Sequence, residues 1–156
     1  MNLTIVAVGR ARSGPEVQLV SDYMSRTART GRSLGIADAA VKEVEDKRGA
    51  GPSGEADLLR RALPKDCAMV CLDERGKQVS SPDLAAMLAS WRDAGQRDVA
   101  FVIGGADGLD PDLRVEADII LSFGQMVWPH MLARVMLAEQ LYRAVSILAG
   151  TPYHRA

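Results

Sequence analysis

Aromatic residues are scarce in this chain. Two Phe, two Trp and three Tyr are all that its 156 residues contain, so each one is conspicuous. Histidine and cysteine are scarcer still, with two of each. Cys67 and Cys71 share the apolar run CAMVCLD. On a strand they stand i and i+4 on one face, too far apart to bridge. No His or Cys cluster accompanies them, so no metal site is expected. Two reduced thiols in an apolar run fit a cytosolic setting. No apolar run reaches membrane-spanning length. The opening MNLTIVAVGRAR lacks the basic start and long apolar stretch of a signal peptide and reads as a first strand.

An excess of charge is missing too. The net charge of −1 argues against a broadly basic nucleic-acid binder but leaves room for a local patch. Arg10, Arg12, Arg26, Arg29 and Arg32 outnumber Glu16 and Asp22 in the first 33 residues. Two meanings stay open there: a solvated face, or a footprint for RNA phosphates. What the chain does have is a hydrophobic content of 47%. At this length that suffices for one domain, 1–156, burying roughly 70% of its unfolded surface.

The pattern along the chain is α/β. Leu3 to Val8 predicts a buried strand closed by Gly9. Val17, Val20 and Met24 recur at helical spacing within 15–30. A second strand is expected within 36–44. KRGAGPSGEA, at 47–56, predicts a loop, with Ser53 or Glu55 opening a short helix that Pro64 ends. CAMVCL is a strand, DERGK a turn, and Ser81-Pro82 a helix start with Pro at N1. DVAFVIGG is a strand, ADGLDPDL a turn and short helix, and ADIIL a third strand of this half. Strands apolar on both faces and alternating with helices imply a mostly parallel sheet flanked by helices.

Ligands in such sheets bind outside the carboxyl ends of the strands. Three ends are unusual here: Leu72 to Lys77, Ile103 to Gly108, and Leu121 to Trp128. Gly-Gly-x-x-Gly alone is a weak signal, since glycine is a routine turn residue. It is neither a dinucleotide fingerprint nor a P-loop. A loop of backbone groups beside Met126, Val127 and Trp128 suits an adenine and a thioether.

The final helix is predicted from Pro129 at N1 to Gly150 past its end. Glu139, Gln140, Arg143 and Ser146 fall in one narrow polar sector, and apolar residues fill most of the rest. Such a helix requires burial on two sides, most simply against a second copy of the chain. Arg134 alone breaks the apolar face, which calls for a snorkelling head, an interface ion pair or an anionic ligand. His130, after Pro at a helix start, reads as structural. Tyr153, His154 and Arg155 follow the helix. They can stack on a base, hydrogen-bond its edge and touch a phosphate, unless they fray as an ordinary terminus. No Ser/His/Asp triad and no pair of hydrolytic carboxylates stands out.

Together, LTIVAVGR, LDERGK, IGGADG, LSFGQMVWPHMLARVMLAEQLYRA and PYHR resemble one family from end to end, the bacterial ribosomal RNA large subunit methyltransferase H proteins of the SPOUT class. The resemblance implies a knotted α/β domain, with a C-terminal trefoil knot, that dimerises through the 130–149 helix. It implies S-adenosylmethionine as methyl donor and N3 of a pseudouridine in 23S ribosomal RNA of the assembled ribosome as acceptor. It implies donor binding by Leu72, Gly104, Gly105, Gly124, Gln125, Met126, Val127, Trp128 and Pro129. It implies substrate binding and catalysis by Tyr153 and His154, with Arg155 beside them. The chain departs from the family's Gly-Gly-Pro-Glu-Gly by placing Ala106-Asp107 where Pro-Glu is usual. Other readings compete: a SPOUT-type tRNA methyltransferase, or a non-catalytic dimeric ribosome- or RNA-binding module. A generic nucleotide-binding protein is disfavoured by the missing fingerprints.

Overall fold

A computed structural model describes residues 1–155. Five strands form one sheet: β1 (Asn2–Val8), β2 (Asp38–Val44), β3 (Ala68–Lys77), β4 (Asp98–Ile103) and β5 (Ile119–Leu121). Their order is β2-β1-β4-β3-β5, and every pairing is parallel. Five helices connect and cover them: α1 (Pro15–Gly31), α2 (Gly51–Ala62), α3 (Ser81–Asp93), α4 (Pro111–Glu116) and α5 (His130–Ala149).

The strands that read as apolar on both faces are buried on both. In β1, Leu3, Ile5 and Ala7 join one core cluster, with Val20, Leu88, Leu137 and Leu141 from α1, α3 and α5. Val6 and Val8 join another, with Ala56, Leu59 and Leu113 from α2 and α4. The sheet therefore separates two helical layers. Each fully buried Leu or Phe, such as Leu88 and Phe101 at 0% exposure, contributes about 2–3 kcal/mol from area alone. Edge strand β2 alternates exposed and half-buried residues instead.

Three local expectations need correction. DERGK is not a free turn: β3 runs on to Lys77. Leu121 pairs with both Leu72 and Lys77 across an irregularity in β3, so residues 73–77 curl around the end of β5. The Ser122 N–H donates to the Lys77 carbonyl at 3.0 Å, a long-range partner that local turn chemistry does not reveal. A Cβ on Gly76 would stand 2.6 Å from the Ile120 carbonyl oxygen, so only glycine permits this closure. Second, Pro129 is the cap residue of α5, at φ −54°, ψ 136°, and His130 is the first helical residue. Similarly, Ser80 caps α3 in a reciprocal box with Asp83, moving Pro82 one place inward. Third, α2 opens at Gly51 rather than at Ser53 or Glu55.

The polar sector of α5 is no solvent face either. Ser146 is fully buried, and Gln140 accepts from the Ser81 hydroxyl of α3 at 2.6 Å. Leu132 remains 43% exposed.

Candidate functional site: a glycine-lined cavity and the C-terminal tail

The three strand-end loops meet. Residues 72–75 in the second half of β3, 103–109 at and beyond the end of β4 and the stretch after β5 line one cavity of about 600 Å³ at the carboxyl edge of the sheet. That volume is in the range of small-molecule sites. Of the donor residues expected, Leu72, Gly104, Gly105, Gly124, Met126, Val127 and Trp128 all line it. Gln125 and Pro129 belong to the same loop and are exposed, but do not line the cavity.

Local chemistry shapes these walls. The Ser122 hydroxyl accepts from the Gly124 N–H at 3.0 Å and lies 3.1 Å from the Glu74 carbonyl, to which it can donate. One side chain thus stitches the loop after β5 to the loop of β3. Gly124 takes φ +107°, a region L side chains rarely enter. Beyond it, Met126 and Val127 are 73% and 84% exposed. Large apolar side chains left open beside a cavity mark a surface that a ligand or partner covers.

Charge enters through groups the sequence did not single out. Asp73 is nearly buried and lies 3.4 Å from Arg114 on α4 and 3.4 Å from Arg75. Arg75 is largely exposed, so its contribution is small; Arg114 is the ordered partner. His130, expected to be structural, is exposed and lines the cavity together with Pro52 of α2. Pairings of this kind join separate elements and have no spacing signature.

The tail lies elsewhere. Neither Tyr153, His154 nor Arg155 lines the cavity of its own chain. Tyr153 folds back on α5 and donates from its hydroxyl to Glu139 Oε1 at 2.9 Å. Arg143 grips the same oxygen at 2.6 Å and stacks 4.8 Å over the Tyr153 ring. The Tyr142 and Tyr153 rings are 4.5 Å apart. Burial, then hydrogen bonding to Tyr23 and Glu139, pushes the Tyr153 phenol well above its ordinary range. It is a donor here, not a base. The His154 Nδ1 lies 3.4 Å from Arg143 Nη1. Arginine can only donate, so in this contact Nδ1 is the acceptor. Arg155 is exposed.

Glu139 also borders a second groove, of about 570 Å³, with Tyr23, Val135 and Met136. Leu121 and Phe123 are common walls of the groove and the cavity. The tail is thus docked beside a groove that adjoins the cavity.

A parallel α/β layer with a glycine-lined cavity at its strand ends is a small-molecule-binding architecture. The model of one family, described as predicted SPOUT methyltransferase, matches residues 1–154. The chain belongs to the SPOUT methyltransferases and, within them, to the ribosomal RNA large subunit methyltransferase H family. Proteins of that name from Ruegeria pomeroyi, Dinoroseobacter shibae and Paracoccus denitrificans are 64%, 63% and 62% identical over 155 residues, 99% of each chain. In structure, the chain is similar to a probable methylase family protein from Haemophilus influenzae Rd KW20. The TM-score is 0.53 at 14% identity, covering 99% of this chain and 70% of that one. That likeness concerns the fold alone.

Proposed function

We propose that this chain is a single-domain enzyme that methylates N3 of a pseudouridine in 23S ribosomal RNA of the assembled ribosome, using S-adenosylmethionine, in the cytoplasm and as a homodimer. The observation that carries the reading is the convergence of three strand-end loops on one cavity, in a chain that carries Tyr153, His154 and Arg155 after its last helix. The relatives' name, ribosomal RNA large subunit methyltransferase H, supports the class of substrate.

The residues present fit the donor. Gly104, Gly105 and Gly124 line the cavity, Gly124 with open space where a side chain would stand, and Met126, Val127 and Trp128 offer apolar cover for an adenine and a thioether. Leu72, with the loop from Gly124 to Pro129, would complete the cradle. Bound there, S-adenosylmethionine supplies a methyl group already activated by positive sulfur. The protein's share is then alignment of acceptor and donor, and a route for the departing proton. His154 offers a ring nitrogen to the edge of the base. Tyr153 offers a ring for stacking, and Arg155 a charge for phosphate. With the Tyr153 hydroxyl donated to Glu139, His154 or a water takes the departing proton.

Shared construction of the site follows from the tail's position. Leu19 and Leu132 are about half exposed, and the neighbouring groove of Val135, Met136 and Phe123 is continuous with the cavity wall. A second copy packed on α5 would cover this surface and bring its tail toward the cavity. We read the curl of 73–77 around β5 as part of the loop through which the chain after β5 passes in a C-terminal trefoil knot.

Calorimetry with S-adenosylmethionine tests the first half; no heat and no melting shift at millimolar ligand rejects it. Methyl transfer to ribosomes lacking the mark tests the second. Label entering free tRNA instead would indicate a tRNA methyltransferase. Ribosome binding without donor affinity would indicate a non-catalytic module. Light scattering showing a stable monomer at micromolar concentration would refute the dimer.

A further inference from the structure

Glu55 lies on α2, three residues after Pro52, which lines the cavity. Its two carboxyl oxygens stand 2.9 and 3.1 Å from where a Cβ on Gly105 would be. Gly105 is not among the glycines with positive φ, so its torsions would accept any residue. What requires glycine there is the carboxylate itself. Glu55 Oε2 is buried and has no hydrogen-bond partner among the described residues. Desolvation raises the pKa of this carboxyl above its ordinary value, and the Gly105 amide opposes that rise. The charged groups facing it, Asp46 and Asp107, are both acidic and add to the rise. A carboxylate in these surroundings costs the free protein stability. The folded chain holds the proton more tightly than the unfolded chain. Stability is therefore lost as pH rises from the ordinary Glu value of 4.5 through the raised one. A residue present only to stabilise α2 would not be placed so.

We infer that Glu55 is the positioning residue of the glycine loop, its carboxylate bracing the Gly105 backbone so that the loop holds the shape the methyl donor needs. The inference rests on the cavity being the donor site. It assigns α2 a part in donor binding that the strand-end loops alone do not suggest. Local instability of this kind is a recurrent cost of a preorganised site.

The test uses the full-length chain and S-adenosylmethionine alone as probe. Glu55→Ala is expected to weaken calorimetric affinity about tenfold, because the loop loses the group packed against Gly105. Glu55→Gln keeps a side chain of the same shape against Gly105 and should lose little affinity. It should also raise the melting temperature of the free protein at neutral pH, because it removes the desolvated charge. Gly105→Ala should weaken binding in the wild-type background and much less beside Glu55→Ala, where the clash is gone. Equal affinities for wild type, Gln and Ala overturn the inference, as does a melting temperature lowered by Gln. A wild-type chain that binds no donor rejects the proposed function instead. In that case the brace stands or falls on the melting temperatures of the Gly105→Ala, Glu55→Ala and double variants: additive changes overturn it.

Discussion

Arg134 and Glu43 are 91 residues apart in sequence and 2.7 Å apart in space. The guanidinium also lies within hydrogen-bonding distance of the Val8 and Gly9 carbonyls, at 3.4 and 3.2 Å. Its side chain is 3% exposed. The one charge on the apolar face of α5 thus ties that helix to the ends of β1 and β2. The helical wheel points to a snorkelling head, an interface ion pair or an anionic ligand; the structure shows instead an ion pair within the chain. The same Glu43 oxygen accepts from the Ala11 N–H at 2.7 Å, so the pair also orders the loop after β1.

Removing one partner should be costly. Arg134→Met leaves a partly buried carboxylate without its cation and two carbonyls without a donor. A loss of about 3 kcal/mol is expected. Urea titration at pH 7 measures it. Adding Glu43→Gln should recover part of the loss, because the uncompensated charge disappears. Strict additivity of the two changes would refute the coupling.

Gly76→Ala probes the closure of β3 over β5. The new methyl would meet the backbone at Ile120 and Leu121, not a side chain that can turn away. Backbone must move, at a cost of about 1–3 kcal/mol or more. The expected result is a melting temperature lowered by about 4 °C or more. An unchanged melting temperature would show that the curl relaxes freely.

These two residues also mark how far the sequence could be read. Apolar strands, the ends of α1 and α5, and the three glycine-bearing loops carry their own local signals, and the loops meet as expected. Asp73 with Arg114, Glu43 with Arg134, and Glu55 against Gly105 join elements distant in the chain, and no spacing announces them. DERGK was misread because turn chemistry is local, whereas the Lys77 carbonyl finds its partner in Ser122. His130 was undervalued because a helix start reads as structure until its neighbours are known. The tail was legible as chemistry but not as place: its anchor, Glu139, stood in the polar sector of α5 with nothing in its spacing to name a partner.

Cys71 should behave as an inert thiol. Burial first, then the nearby Asp73 and Glu116 carboxylates, pushes it from 9.0 up to about 12. At pH 8 the thiolate is essentially absent, so native protein should resist iodoacetamide at this position while urea exposes it. The linkage has a definite sign. Between pH 9 and about 12 the unfolded chain gives up a proton that the folded chain keeps. Stability therefore falls as pH rises through that window. Cys71→Ala should flatten this alkaline limb of a urea midpoint profile. An identical slope in the variant would show that another group controls it.

Truncation separates the two halves of the proposed site. The tail rests on Glu139 and Arg143, and none of it lines the cavity of its own chain. Deleting residues 153–156 should abolish methyl transfer to unmodified ribosomes while leaving S-adenosylmethionine affinity within about threefold of wild type, or about 0.7 kcal/mol. Tyr153→Phe is the milder control. It loses the hydrogen bond to Glu139, about 1 kcal/mol, but keeps the ring against Tyr142. If Tyr153 acts by stacking, that variant retains most activity. If the hydroxyl is what matters, it fails like the deletion. Mixed dimers locate the tail. Truncated chains paired with chains whose cavity is blocked by Gly105→Trp should recover activity in only one arrangement. If each cavity uses its own tail, neither chain in the pair holds a complete site and activity stays lost. Recovery shows that the tail crosses between chains, because only the crossed geometry leaves one intact cavity facing one intact tail.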